Sequence, residues 1–140
     1  MPESKVIFSD TIPVEDFLRL RAEVKWAELP VEQAQAGLDH TFAGVAAILD
    51  GEVVGMARVL WDGCYCAFLT DVIVTEKCRH NGIATAMVQR LIDRLRAEKK
   101  EGWKIKLYLM AGHGRESFYQ RFGFNTRPQG EEGAGMNMWL

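Results

Sequence analysis

LTDVIVTEKCRHNGIATAMVQRLIDRL, residues 69–95, decides the fold. Residues 69–75 are apolar and β-branched, the composition of a buried strand. A polar loop follows over residues 76–82 and carries Lys77, Arg79 and His80. The chain then sets Ala84, Met87, Val88, Leu91, Ile92 and Leu95 at a 3.6-residue period, which predicts an amphipathic helix. Between strand and helix stands Arg79-x-x-Gly82-x-Ala84. A strand feeding a glycine turn at a helix N-terminus is a place to hold phosphate. The N–H groups of the first turn lack helical partners, the helix dipole adds partial positive charge, and glycine lets an anion approach the backbone.

Upstream, residues 5–9 (KVIFS) read as a first strand. Asp10 and Thr11 offer capping oxygens, Pro13 suits a first helical turn, and Glu15 and Asp16 suit its positive end. That helix turns Phe17, Leu20 and Val24 inward and fades near residues 26–30, and a second begins after Pro30 and closes around Asp39. Residues 42–49 and 52–60 are apolar runs joined by Asp50-Gly51, the signature of a β-hairpin. Asp62-Gly63 marks a second reversal into residues 64–75, so three strands meander antiparallel into the central stretch.

Downstream, Gly102 closes the central helix and residues 103–110 alternate as a further strand. Gly112 and Gly114 open a loop, residues 115–121 read as a short helix, and Phe122-Gly123-Phe124 turns into another strand. Residues 127–135 are polar and glycine-rich, and residues 136–140 read as a last strand packed through Met136 and Met138. The expected fold class is α/β (α+β): one domain over residues 1–140, a mixed, mostly antiparallel sheet flanked by helices.

The totals exclude several classes. With 140 residues, 48% hydrophobic and 26% charged, the chain has the composition of a globular domain with a real core. A net charge of −2 does not suit nucleic-acid binding, which needs a basic surface. No signal peptide and no membrane span is readable, and a cytoplasmic location is expected. Cys64 and Cys66 fall on one side of a strand, where a disulfide or a two-ligand metal site would be conceivable; the reading taken is reduced thiols and no metal.

A second signature gives the first its meaning: Phe118-Tyr119-x-x-x-Gly123-Phe124, a tyrosine in a short helix ahead of Gly-Phe. Together the two resemble the GNAT superfamily of N-acetyltransferases, with Arg79, Gly82 and Ala84 matching its [QR]-x-x-G-x-[GA] motif. The ending RPQGEEGAGMNMWL is also similar to a branch that includes plant chloroplast acetyltransferases acting on arylalkylamines and lysines. The resemblance implies acetyl-CoA as co-substrate. Backbone groups of Val72, Ile73 and Val74, on a strand that splays from its neighbour, would bond the pantetheine arm and the thioester carbonyl. Loop amides of Arg79, His80, Asn81, Gly82, Ile83 and Ala84, with Thr85, would hold the pyrophosphate. Tyr119 would stand beside the sulfur as general acid. Two departures matter: Glu76 stands where many members have proline, and Gly112 where an asparagine is frequent.

Asp71, three residues before Val74, is the first candidate for general base, against the plainer reading of an aspartate bonding nearby backbone. Glu52, Asp62 and His113 are the further candidates, and Trp26, Trp61 and Trp139 are candidates to line an aromatic acceptor pocket. No cysteine is placed to carry an acyl group, so transfer is expected by direct attack of a primary amine in a ternary complex. The acceptor stays open among arylalkylamine, polyamine, amino acid and protein lysine or N-terminus, as does a homodimer. A non-catalytic acyl-CoA-binding module and a nucleotide-binding protein are the competing classes, the latter lacking G-x-x-x-x-G-K-[ST] and G-x-G-x-x-G.

Overall fold

The computed structural model describes residues 5–140. The meander forms as its turns dictate: β2 (Ala43–Leu49), β3 (Glu52–Trp61) and β4 (Cys66–Val74) pair antiparallel in chain order. Asp50 and Gly51 take φ of 51° and 79°, the positive pair that a two-residue hairpin requires. β1 (Ile7–Ser9) pairs antiparallel with β2, and β5 (Lys106–Tyr108) pairs parallel with β4. The sheet order is therefore β1-β2-β3-β4-β5, a mixed, mostly antiparallel sheet.

Helices α1 (Val14–Glu23) and α2 (Val31–Asp39) each start directly behind a proline, whose fixed φ suits helix entry. Their apolar residues Phe17, Leu20 and Ala34 join Ile12, Ala46, Val53, Met56 and Ile73 in one buried cluster. Helix α3 (Ile83–Glu98) buries Ile83, Met87, Val88, Leu91 and Leu95, the stripe that its period demands. It packs on β2, β3 and β4. Gly55 explains how closely it does so, since a Cβ there would lie 3.2 Å from the Met87 methyl and 3.1 Å from the Ile73 carbonyl.

The chain divides into two compact units, one ending at Tyr108 and the other Leu109–Leu140. The second holds α4 (Glu116–Gln120), where Phe118 meets Tyr119 and Phe122 edge to face at 4.9 and 5.4 Å. Two expected strands do not form. The residues after Gly123 carry no ladder beyond an isolated Gln129–Glu132 bridge, and residues 136–140 are not in a strand. Met136 and Trp139 are 88% and 82% exposed, so neither the packing expected of Met136 and Met138 nor a pocket wall at Trp139 is present. Alternating side chains are compatible with a strand, but only a neighbouring ladder makes one. β5 is likewise shorter than residues 103–110.

Candidate active site

β4 carries the first irregularity that matters. Met56 pairs with Ile73 and Arg58 with Thr70, so two residues, Asp71 and Val72, oppose Ala57 across a β-bulge. Asp71 takes φ of 55°, the left-handed conformation that glycine usually occupies at such a bulge. Its neighbour on the other side is brief: β5 pairs with Cys66, Ala67 and Phe68 only, so the β4 residues from Leu69 onward have ladder partners on β3 alone. Thr75 N–H donates to the Val54 carbonyl at 2.8 Å. By the alternation of an antiparallel ladder, Ile73 then bonds towards β3 while Val74 points to the side without a ladder partner. The Val74 carbonyl accepts there from Arg79 Nε at 3.0 Å.

The loop after β4 is a single 3₁₀ turn, Glu76–Cys78, pinned by buried Cys78. His80 and Gly82 take φ of 66° and 79°. Gly82 is the N-cap of α3 and no side chain caps that end. The first intrahelical bond runs from Ala86 N–H to the Gly82 carbonyl, so the amides of Ile83, Ala84 and Thr85 precede the helical ladder. A Cβ on Gly82 would meet nothing within 4 Å; the glycine serves the backbone turn rather than a tight fit. Free amides at the end of a helix of 16 residues, over open space, fit an anion such as a pyrophosphate.

Asp71 is the one buried charged residue among those described, 6% exposed. Arg21 Nη1 donates to its Oδ1 at 3.0 Å and Arg58 Nε to its Oδ2 at 2.6 Å. Sequence reasoning missed both arginines, which stand 50 and 13 residues away. Arg21 continues to the Ala27 carbonyl at 3.0 Å, and Arg58 to Thr41 Oγ1 at 3.1 Å and the Gly37 carbonyl at 3.3 Å. Both guanidiniums lie over the Phe17 ring, at 5.5 and 5.7 Å, and Arg21 also lies over Trp26. Arg21 Nε is buried without a hydrogen-bond partner, a cost accepted to aim the rest of the group.

Glu23 is a second residue that sequence reasoning missed. Its Oε1 accepts from Thr75 Oγ1 at 2.6 Å and from Glu76 N–H at 3.2 Å, tying the end of α1 to the exit of β4. The N–H that a proline would lack is thus in use. The Thr75 hydroxyl first, then the Glu76 amide and the charges of Arg19 and Arg79, hold the carboxyl below its ordinary 4.5, against the opposing effect of burial. A carboxylate with a depressed folded pKa stabilises the fold above its unfolded pKa, and that contribution disappears as pH falls through the folded value. Glu23→Gln should therefore lower stability at pH 7 by no more than about 1 kcal/mol, since the group is exposed. Urea melts of the two proteins should converge below the carboxylate range; an equal gap at acid pH would contradict this.

The other candidates sit elsewhere. Glu52 pairs with Lys77 at 3.6 Å beside the hairpin, and Asp62 accepts from the Cys64 and Cys66 amides at 2.7 and 3.3 Å. His113 is exposed, and all three cysteines are free thiols. Trp61 packs edge to face on Phe42 at 5.1 Å. A cavity of about 310 Å³ lined by Asp10, Gln35, Asp39, Thr41 and Arg94, among others, includes none of the expected site residues. Tyr119 belongs to the second unit, where burial raises its phenol above the ordinary 10 while Arg115 pulls the other way. A neutral phenol at pH 7 can donate a hydrogen bond.

Comparison with known proteins bears on the fold and the family. GCN5-related N-acetyltransferase 2, chloroplastic, of Arabidopsis thaliana is 27% identical over 92% of this chain and 57% of that protein. A histone acetyltransferase of Glycine max is 26% identical over 92% of this chain and 60% of that protein. The chain thus spans a little under two thirds of these relatives. Among solved structures, a GNAT-family acetyltransferase from Streptococcus pneumoniae superposes with TM-score 0.78 at 20% identity, covering 99% of this chain and 98% of that one. A Staphylococcus aureus protein gives TM-score 0.86 at 21% identity, over 97% and 100% of the two chains. At these identities the superpositions speak for the fold. The family assignment comes from the acetyltransferase (GNAT) family model, which matches residues 11–124, both signatures included: the chain belongs to the GNAT acetyltransferase family.

Proposed function

We propose that this protein is an acetyl-CoA-dependent N-acetyltransferase, a single catalytic domain over residues 1–140 that acetylates a primary amine by direct attack in a ternary complex. One observation carries the reading. An uncapped α3 N-terminus behind left-handed Gly82 follows a β4 strand whose C-terminal half lacks a partner on one edge. The amides of Ile83 and Ala84, with Thr85 and the preceding Arg79, His80, Asn81 and Gly82, hold the pyrophosphate, while Val72 and Val74 offer backbone groups to the pantetheine arm. Ile73 lies between them, its backbone paired with Met56 of β3 and its side chain in the core. Acetyl-CoA supplies an acetyl group activated as a thioester.

Transfer forms one C–N bond and breaks one C–S bond, so the amine must lose a proton and the thiolate must gain one. An alkylamine of pKa about 10.4 is neutral at pH 7 in roughly one molecule in 2,500, a cost of about 4.6 kcal/mol that deprotonation before attack must meet. Tyr119 donates to the departing thiolate. Its raised pKa keeps the proton in place across the working range and makes it a hydrogen-bond donor more than a strong acid. Tyr119→Phe should lower kcat about tenfold, one hydrogen bond of about 1.4 kcal/mol, and leave acetyl-CoA affinity unchanged. An unchanged kcat at saturating substrates would remove Tyr119 from the chemistry.

The decisive experiment pairs calorimetry with acetyl-CoA and thiol release across a panel of arylalkylamines, polyamines, amino acids and lysine peptides. Binding with amine-dependent thiol release supports the reading. Binding without turnover would make the chain an acyl-CoA-binding module, and no binding would overturn the proposal.

A further inference from the structure

We infer that Asp71 is a positioning residue: through Arg21 and Arg58 it couples the segments over one face of the sheet to the bulge in β4. The inference rests on the acetyltransferase reading and goes beyond it by giving Asp71 a role other than general base. Three observations converge. Both carboxylate oxygens are engaged by guanidinium donors, at 3.0 and 2.6 Å, and the residue is 6% exposed, so the carboxylate is committed to the two arginines rather than open to a bound amine. The arginine side chains, 13% and 15% exposed, also donate to segments distant in sequence from Asp71: Arg21 to the Ala27 carbonyl beyond α1, Arg58 to the Gly37 carbonyl and Thr41 Oγ1 at the end of α2. Asp71 also holds φ of 55° at the bulge, where glycine would be easier, which is explained if the side chain is needed there.

The consequence is mechanical. Val72 is the second residue of the bulge and Val74 lies two residues on, so the same carboxylate that sets their backbone also fixes the α1–α2 connection and the end of α2. Under the acetyltransferase reading that strand backbone aims the thioester at the amine. Loosening the ion triad should then degrade acceptor alignment while the pyrophosphate loop, which the triad does not touch, still binds.

The test uses the full chain and five variants: Asp71→Asn, Asp71→Gly, Arg21→Gln, Arg58→Gln and the double variant Arg21→Gln with Asp71→Asn. Each is checked for folding by thermal melt and for acetyl-CoA affinity by calorimetry before kinetics. Asp71→Asn keeps the left-handed backbone accessible and removes the charge; Asp71→Gly relaxes the backbone and removes the side chain. In each foldable variant kcat should fall at least tenfold and acceptor KM should rise, with a smaller rise in acetyl-CoA Kd because the pyrophosphate loop stays in place. The acid limb of the kcat/KM profile should persist in Asp71→Asn, and Arg21→Gln combined with Asp71→Asn should lose no more than Asp71→Asn alone. Loss of the acid limb in Asp71→Asn alone, or wild-type kinetics in both arginine variants, would overturn the inference. Should wild type itself bind acetyl-CoA and release no thiol with any amine, the acetyltransferase reading fails first, which separates the two.

Discussion

Gly82→Val is expected to weaken acetyl-CoA binding by roughly 10- to 100-fold. Gly82 sits at φ of 79°, and a β-branched residue at positive φ is a genuine outlier, so the turn would have to re-form around it. The amides of Ile83, Ala84 and Thr85 leave the turn directly, and their aim depends on it. Each hydrogen bond to a charged phosphate oxygen is worth about 1.5–3 kcal/mol, so misdirecting one or two of them accounts for the loss. Nothing lies within 4 Å of a Cβ at this site, so the effect is conformational rather than a collision. Gly82→Asn supplies the control: asparagine tolerates the left-handed region, and its affinity should fall by less. Calorimetry with acetyl-CoA measures both. Equal, wild-type affinity for the valine variant would remove the turn from the cofactor site.

Phe17→Ala should cost about 3–5 kcal/mol of folding stability, the usual range for emptying a buried aromatic site. At this chain length that corresponds to a fall in Tm of roughly 10–15 °C. The ring is 2% exposed and lies in the cluster with Leu20, Ile12, Ala34, Met56 and Ile73. It also forms the floor beneath the Arg21 and Arg58 guanidiniums. Its removal thus takes away both apolar packing and the surface that orients the ion triad. Trp139→Ala, at a residue 82% exposed, should stay within about 0.5 kcal/mol of wild type despite deleting a larger side chain. Urea denaturation of the pair distinguishes burial from size. A loss below about 1 kcal/mol at Phe17 would contradict the packing described here.

Much of the architecture was legible because its signals are local. Asp50-Gly51 encodes a hairpin in two residues, the prolines at 13 and 30 mark helix entries, and the stripe from Met87 to Leu95 can be buried in only one orientation. The glycine turn ahead of α3 belongs to the same class. Its glycine, the strand before it and the helix after it lie within 27 consecutive residues, and short-range sterics decide their conformation.

What was misread depends on partners far along the chain. Met136 and Met138 alternate as a strand would, yet the residues from 136 onward have no ladder to join and stand in solvent. Asp71 stood between a candidate base and a plain structural aspartate, and nothing in its surroundings within the sequence announces the two arginines that bind it. Glu23 gave no sign that it would reach Thr75 and Glu76, more than 50 residues on.

The sequence by itself therefore determined the order of elements as far as α4, the glycine turn ahead of α3 and the family of the chain, because periodicity and glycine conformation act over a few residues. Only the tertiary structure decided which partners Asp71 and Glu23 take. A side chain's charge is written in the sequence, but its partners are set by which strand lies beside which helix.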